Sequence, residues 1–313
     1  MDAAVSRAGA GREARALLLL VPAGLLGVAL AWALTGQGSA TAEAAVRMLA
    51  DCLGATVLGL AALPRLHERL NPPWRPLAAL AGIWCLTEAA VLVFDAAEVV
   101  GVPVQRLSAQ QFGSFLTEIS GGQIGIAVLL GTAVIAGYAA LAFRRPDSAS
   151  TDLVLVFAAV ALALRPITGH MSQQPFGSVL AAVHALAAAA WFGLLVALAL
   201  VVRARGEWAA VLPRYSTVAL PLAGAVGITG LINGLVRVDG LTPLVSTGYG
   251  RILLAKAVVL LGLLALGWWW RRTWVRRAAD HRMTADASLR RAVLEVVVMA
   301  FVFGLAATLA VTA

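Results

Sequence analysis

The stretch that decides the fold runs from Gly177 to Val202 and reads "GSVLAAVHALAAAAWFGLLVALALVV". It contains no Asp, Glu, Lys or Arg, and His184 is its one ionisable side chain. A run of about 20 apolar residues is long enough for a helix to cross the hydrocarbon core of a membrane. We therefore interpret this stretch as a transmembrane helix, and its histidine, one of only four in the chain, needs an explanation.

Similar apolar runs recur along the whole chain. Its residues are 61% hydrophobic and 13% charged, whereas roughly a quarter are charged in a soluble domain. We predict an all-α polytopic helix bundle of about nine spans. The predicted spans are 16–35, 44–63, 77–98, 121–143, 152–168, 177–202, 215–236, 250–270 and 290–311. A signal peptide is the alternative for the first span, but its apolar stretch is longer than that of a typical signal peptide.

The arginines predict the orientation of these spans. With the N-terminus inside, 18 arginines flank the spans on the inner side and four on the outer side. Positive side chains are retained on the cytoplasmic side, so this bias predicts an inner N-terminus and, with an odd number of spans, an outer C-terminus. The net charge of +8 is then a signal of membrane orientation, and we expect the lipid bilayer rather than nucleic acid as the partner.

One outer loop predicts a helix of its own. Ser108 is a good N-cap residue, and Phe112, Phe115, Leu116 and Ile119 would then share one face. We expect this short helix to lie on the membrane surface. Cys52 and Cys85 both fall within spans, and we interpret them as small buried apolar residues.

A set of polar side chains lies inside the predicted spans. A charge at the centre of a membrane helix costs roughly 2.5–3.5 kcal/mol, so such a residue usually faces a cavity or a partner. Counting about 1.5 Å per residue places five of the set within the outer third of the membrane, with Glu88 near mid-depth and Glu295 in the inner third. The five are Asp51, Arg165, His184, Asn233 and Lys256.

Two interpretations account for these charges. In the first they neutralise each other in pairs, namely Arg47 with Asp51, Arg165 with Glu88, and Lys256 with Asp51. In the second they line one vestibule that opens outward, which also explains their common depth. His184 needs no salt partner, so pairing does not explain its presence.

The histidines suggest a metal or a haem. Imidazole and thioether groups suit copper, and His170 and Met171 follow the fifth span while His184 lies about 10 Å down the sixth. The short connection "SQQPFG" makes these two spans neighbours, so the three side chains could form one site at the outer mouth. A bis-histidine haem is the alternative, but His67 and His281 lie in inner loops and leave only His170 to pair with His184.

Four stretches resemble the copper resistance D (CopD) family of inner-membrane proteins. They are "GHMSQQPFGSVLAAVHALAAAAWFG", "RYSTVALPLAGAVGITGLINGLVRV", "STGYGRILLAKAVVLLGLLALGWWWRR" and "LRRAVLEVVVMAFVFGLAATL", which together cover about 168–310. The resemblance implies a five-helix CopD-like membrane domain at 151–313, preceded by a four-helix membrane part at 1–150.

The resemblance also implies copper handling at the bacterial inner membrane, most often uptake from the periplasmic side. The first hypothesis is a copper permease rather than an enzyme. Copper ion would enter at His170, Met171 and His184, and the polar residues of the spans would line the pathway. These pathway residues are Asp51, Glu88, Arg165, Asn233, Lys256 and Glu295. The alternatives are a non-transporting scaffold that receives copper from a periplasmic copper-binding chaperone or serves oxidase assembly, and a haem- or quinone-dependent membrane oxidoreductase.

Overall fold

The computed structural model describes residues 15–36, 41–68, 70–168, 176–237 and 242–312. These residues form helices joined by short connections and contain no strand, so the predicted all-α helix bundle is confirmed. The helices are α1 (Leu20–Thr35), α2 (Thr41–Leu66), α3 (Trp74–Val100), α4 (Ala109–Glu118), α5 (Ser120–Arg144), α6 (Asp152–Leu164), α7 (Gly177–Val201), α8 (Arg205–Arg237), α9 (Thr242–Ser246), α10 (Gly248–Trp270), α11 (Arg276–Ala279) and α12 (Ala285–Thr312).

Within the described part of the chain, eight helical segments are long and apolar enough to cross a membrane. They correspond to eight of the nine predicted spans, and the chain is therefore a multi-pass membrane protein. The remaining predicted span, 152–168, is formed by α6 and a 3-10 turn at Arg165–Thr168. With 13 residues, α6 is about 20 Å long, which is shorter than the hydrocarbon core of about 30 Å.

The centre of the bundle is formed by α2, α7 and α12, which are more buried than the other five long apolar helices. Leu60 of α2 and Leu195 of α7 are fully buried, and the Phe192 and Phe303 rings pack with their centroids 4.9 Å apart. By contrast, α8 and α10 lie at the periphery and expose side chains such as Leu231 and Leu261. Exposed apolar side chains of this kind are expected to face lipid.

Glycines allow two pairs of helices to come into backbone contact. A Cβ atom at Gly193 of α7 would overlap the carbonyl oxygen of Ala55 of α2, and one at Gly59 would overlap the Gly193 carbonyl. In the same way, a Cβ atom at Gly304 of α12 would overlap the carbonyl oxygen of Gly24 of α1. Small residues are what permit such close approach between membrane helices. These contacts hold α7 tightly against α2 and α1 tightly against α12.

The predicted short helix in the loop after α3 is confirmed as α4. Ser108 caps it, since its hydroxyl accepts from the Gln111 backbone N–H and the Gln111 side chain accepts from the Ser108 backbone N–H. This reciprocal pair is a capping box. Phe115 is buried against Leu92 and Ala96 of α3, so α4 packs on the bundle through its apolar face.

The helix that follows α7 begins earlier than predicted. The predicted span starts at 215, whereas α8 starts at Arg205 and continues through Pro213 and Pro221. The prediction left out residues 205–214 because they include charged side chains. They nevertheless form helix, because Trp208 and Leu212 pack into the core. The Trp208 ring also lies 6.2 Å from that of Trp274, which follows α10.

Candidate functional site

Three charged side chains from three helices form one cluster. Nη1 of Arg165, at the end of α6, donates to Oδ1 of Asp51 on α2 at 2.8 Å, and its Nη2 donates to Oε2 of Glu88 on α3. The side chains of Arg165 and Glu88 are 15% and 5% exposed. Two carboxylates share one guanidinium here, so the cluster carries one net negative charge.

Glu88 has a further donor that holds its orientation. Nε1 of the fully buried Trp84, one helical turn earlier, donates to Oε1 of Glu88 at 2.6 Å. Both oxygens of this buried carboxylate are therefore hydrogen-bonded, as a charge in an apolar interior requires. The predicted pairing of Arg165 with Glu88 is confirmed, and Trp84 is a partner that the sequence analysis did not identify.

Two ion pairs define the direction of α6. Asp152 at its start pairs with Arg65 near the end of α2, and Arg165 at its other end pairs with Asp51. Residues 51 and 65 are about 20 Å apart along α2, and residues 152 and 165 are about the same distance apart along α6. The two helices are therefore antiparallel over most of the membrane thickness. Because Oγ of Ser178 donates to the carbonyl of Ile167, α7 begins beside the end of α6.

His184 lies at nearly the same depth as Asp51. The helices α2 and α7 start at the same end of the bundle and touch at Gly59 and Gly193. Asp51 precedes Gly59 by about 12 Å along its helix, and His184 precedes Gly193 by about 14 Å. The helix contact therefore agrees with a common depth for Asp51 and His184, and the depths of Asn233 and Lys256 stay predictions.

A threonine on α8 holds the His184 ring. Nδ1 of His184 lies 2.9 Å from Oγ1 of Thr229, and the same hydroxyl donates to the Ala225 carbonyl at 2.5 Å. When its one proton is donated to Ala225, the hydroxyl accepts from the imidazole, and the heavy-atom contacts then place the proton of a neutral ring on Nδ1. The lone pair then lies on Nε2, which is the form of histidine that binds a metal.

The surroundings of this ring are small and polar on the α8 side. A Cβ atom at Gly230 would lie 3.3 Å from Cε1 of His184, so glycine allows α8 to pass close to the ring. Asn233 lies one turn from Thr229 on the same face of α8. Its Oδ1 is buried and has no hydrogen-bond partner among the described residues. An unpaired buried amide oxygen is available to a ligand or a water.

The remaining two predicted pathway residues stand apart from these contacts. Lys256 of α10 makes no ion pair with a described residue. Glu295 of α12 is 6% exposed and likewise has no ion-pair partner among the residues in the described ranges. The structure thus brings Asp51, Glu88 and Arg165 into contact, and His184 close to Thr229. Whether all of these groups line one vestibule stays a prediction.

The other two predicted ligands, His170 and Met171, lie outside the described residues. Ser178 and Ile167, which flank the segment that contains them, are joined by a hydrogen bond. Both ends of that segment therefore lie at the end of the bundle that holds His184. The proposed three-residue copper site stays a prediction.

Two of the predicted charge pairs are wrong. Arg47 does not pair with Asp51, because Nη2 of Arg47 donates to Oδ1 of Asp95 on α3 at 2.6 Å and lies 3.8 Å from Oε1 of Glu43. Asp51 does not pair with Lys256, because its carboxylate accepts from Arg165. In both cases a charge on a neighbouring helix provides the better contact.

A pair of sulfur atoms was missed by the sequence analysis. Sγ of Cys52 lies 4.0 Å from Sδ of Met48, one turn earlier on α2, and both cysteines of the chain are free thiols. The spacing M-x-x-x-C places two side chains on one helix face and could have revealed the pair. Thiolate and thioether are the soft donors that Cu(I) prefers.

The fold and these intramembrane polar groups define a multi-pass membrane protein with a polar interior near one face. The chain matches the family described as copper resistance protein D-like, N-terminal domain, over residues 14–175, and the family described as copper resistance protein D over residues 209–309. The first match alone covers half of the sequence, and the chain belongs to the copper resistance protein D family. The predicted family is therefore confirmed.

One curated relative is named as a copper transport protein. The chain is 28% identical over 167 residues to the copper transport protein CutJ of Bacillus subtilis (strain 168). The match covers 49% of this chain and 30% of the relative, so the chain corresponds to less than a third of that protein's length. No solved structure matches the chain.

Proposed function

We propose that this protein carries copper inward across the bacterial inner membrane, from an entry site at the periplasmic end of α7. The observation that carries the proposal is the hydrogen bond between His184 and Thr229, which involves one ring nitrogen of His184 and leaves the other free. Thr229 holds Nδ1 of the ring as a donor, which leaves Nε2 as a ligand atom inside the membrane. The family supports copper as the substrate.

In this proposal His170 and Met171 capture copper at the mouth and pass it to Nε2 of His184. Both imidazole and thioether accept Cu(I), so the ion need not be left without ligands during the transfer. Asn233, whose buried amide oxygen has no hydrogen-bond partner in the described part of the chain, would contribute one more acceptor one turn away from Thr229.

Met48 and Cys52 offer the next soft donors at a similar depth. Their sulfur atoms are 4.0 Å apart, so one ion at the usual metal–sulfur distance of about 2.3 Å would contact both. The anionic Asp51–Arg165–Glu88 cluster lies on the same helix and favours a cation near it. Glu295 then provides a carboxylate in the inner half of the membrane.

Copper flux into sealed vesicles tests this function. Protein in liposomes that enclose a Cu(I)-sensitive dye should increase dye fluorescence when Cu(I) is added outside. We expect His184→Ala to lower the initial rate by about tenfold or more. The matched control is His281→Asn, which lies far from the site and keeps a residue that tolerates the positive φ of 55°. For the sulfur pair, Cys52→Ser should slow flux and Cys85→Ser should not.

Copper binding and an absorption spectrum, measured beside the flux, separate the alternatives. Copper binding by the wild type without flux would support a non-transporting scaffold that works with a periplasmic copper-binding protein or in oxidase assembly, and would overturn the permease. A Soret band in the purified protein would instead support a haem-dependent oxidoreductase.

A further inference from the structure

Four arginines lie close together where α10 leaves the membrane. The helix that begins at Gly248 continues without a break to Ala279, through α10, a π-helical turn at Arg271–Val275 and α11. Its 32 residues span about 48 Å, whereas the hydrocarbon core of a membrane is about 30 Å thick. The last part of this helix therefore lies at the level of the lipid headgroups. Its arginines are Arg271, Arg272, Arg276 and Arg277.

The π-helical turn brings all four arginines to one side of the helix. In a continuous α-helix, residues seven apart face nearly the same way, so Arg277 would point inward with Trp270. The ring of Trp270 packs edge to face on the buried Trp274, with centroids 5.3 Å apart. A π turn contains one extra residue, which rotates the residues after it by about 100°. Arg277 is exposed as a result, and the four arginines occupy an arc of about 140° instead of about 240°.

The positive charges on this side of the helix are not compensated. All four arginine side chains are exposed, and none of them has an ion-pair partner among the residues that the structure describes. Four guanidiniums within two helical turns repel each other and attract an anion. Charge therefore selects a negatively charged ligand.

Two of these guanidiniums are held in place by other contacts. Nη1 of Arg271 donates to the Ser216 carbonyl of α8 at 3.3 Å, and the guanidinium of Arg272 lies over the Trp268 ring, 4.0 Å from its centroid. A guanidinium has five N–H donors in its plane, so each contact leaves most of the donors free. Arginines with free paired donors bind phosphate oxygens well, which makes phosphate the favoured anion.

The same side of the helix is apolar before the arginines begin. Leu261, Leu264, Trp268 and Arg272 follow each other at spacings of three, four and four residues, which places them on one helix face. Both leucines are exposed, and so are Trp268 and Trp269, at 60% and 62%. Exposed tryptophans are typical of the boundary between the hydrocarbon and the headgroups. One continuous face thus offers an apolar surface at membrane depth and positive charge at its end.

We propose that this face binds one anionic phospholipid, with the phosphate at the four arginines and the acyl chains along Leu261 and Leu264. A soluble phosphate would use only the basic end, whereas a lipid uses both parts of the face. The site is separate from the copper path. Arg271 contacts Ser216, which lies thirteen residues, or about 20 Å, before Thr229 on α8.

Native mass spectrometry of the full-length protein, released from detergent after titration with phosphatidylglycerol, counts the lipids that stay bound. One phosphatidylglycerol should be retained at concentrations at which phosphatidylcholine with the same chains dissociates. The double variant Arg272→Gln, Arg277→Gln should weaken phosphatidylglycerol affinity by roughly tenfold or more, since each arginine near the surface contributes to the attraction. The matched control is Arg144→Gln with Arg145→Gln, which removes two exposed arginines at the end of α5 and should leave the affinity unchanged.

Trp268→Leu distinguishes this site from a generally basic surface, because it keeps every charge and removes only the stacking on Arg272. It should lower phosphatidylglycerol affinity by about twofold to fivefold. Equal retention of the two lipids, or equal losses in the two double variants, would overturn the proposal. Displacement of phosphatidylglycerol by an equal concentration of glycerol phosphate would also overturn it, since the site would then bind phosphate without the lipid chains. Copper flux is measured separately through His184, so failure of this site leaves the proposed transport untouched.

Discussion

Nη1 of Arg165 lies 2.8 Å from Oδ1 of Asp51, and this contact fixes the end of the short helix α6 against α2. The same guanidinium also holds Glu88, so one positive charge compensates two carboxylates from two helices. Removing it would leave both acids without their partner inside the bundle.

Arg165→Met should therefore destabilise the protein by about 3 kcal/mol or more, because breaking a buried ion pair leaves an uncompensated charge. Arg65→Met is the matched control on the same pair of helices. The side chains of Arg65 and Asp152 are 47% and 69% exposed, and such a surface pair contributes less than about 1 kcal/mol. The measurement is the free energy of unfolding in mixed micelles. Equal losses in the two variants would contradict the importance of the buried cluster.

A second prediction concerns the contact of α2 with α7. Gly193→Ala should destabilise the protein by about 2 kcal/mol or more, since the new Cβ overlaps backbone atoms that can move only if the helices separate. At Gly137 of α5 a Cβ atom meets nothing within 4 Å. Gly137→Ala should therefore stabilise by up to about 1 kcal/mol through helix propensity. Thermal unfolding of both variants should show a lower melting temperature for Gly193→Ala and an unchanged or higher one for Gly137→Ala. An unchanged melting temperature for Gly193→Ala would refute the close packing.

Local signals made part of the fold predictable from sequence. Ser108 and Gln111 form a capping box whose geometry depends on four consecutive residues, so the helix α4 could be predicted. The pairing of Arg165 with Glu88 could also be predicted, because charges of opposite sign within membrane spans need each other.

Partners set by the arrangement of helices could not be predicted. Arg47 has an acid four residues away on its own helix, and nothing local reveals that Asp95 on α3 lies closer. Thr229 carries no charge, and a helical threonine usually donates to a carbonyl of its own helix, as Thr229 does. Its second role as the acceptor for His184 appears only once α7 and α8 are packed together.

A third prediction tests that role directly. Thr229→Val removes the acceptor for Nδ1 and frees the ring to change its tautomer and orientation, so copper affinity should fall by about 10- to 100-fold. Thr229→Ser keeps the hydroxyl and should preserve affinity. The control Thr132→Val makes the same change at a fully buried threonine of α5, whose hydroxyl donates to the Leu129 carbonyl. Competition for Cu(I) with a coloured chelator measures all three. If Thr229→Val binds Cu(I) with unaltered affinity, Thr229 does not set the tautomer of His184.

A fourth prediction concerns orientation across the membrane. The arginine bias places the loop after α5 inside and the loop before α4 outside. In a background where Cys52 and Cys85 are replaced by alanine, Ser108→Cys should react with an impermeant maleimide in intact cells. Ser148→Cys should react only after the cells are opened. Both serines are exposed, so burial does not limit either reaction. The reverse labelling pattern would invert the topology and move the proposed entry site to the cytoplasm.

The last prediction asks whether His170 and His184 bind one copper ion. If they share a metal, His170→Ala and His184→Ala should each lose most copper binding, and the double variant should lose little more, because the second ligand is of little use without the first. If the residues act independently, the two losses in binding free energy should add, as they do for sites without shared partners. Isothermal titration of copper into wild type and the three variants measures the coupling. Unchanged affinity in both single variants, with folding verified by circular dichroism, would remove this site from the proposed path and leave Met48 and Cys52 as the soft donors to test next.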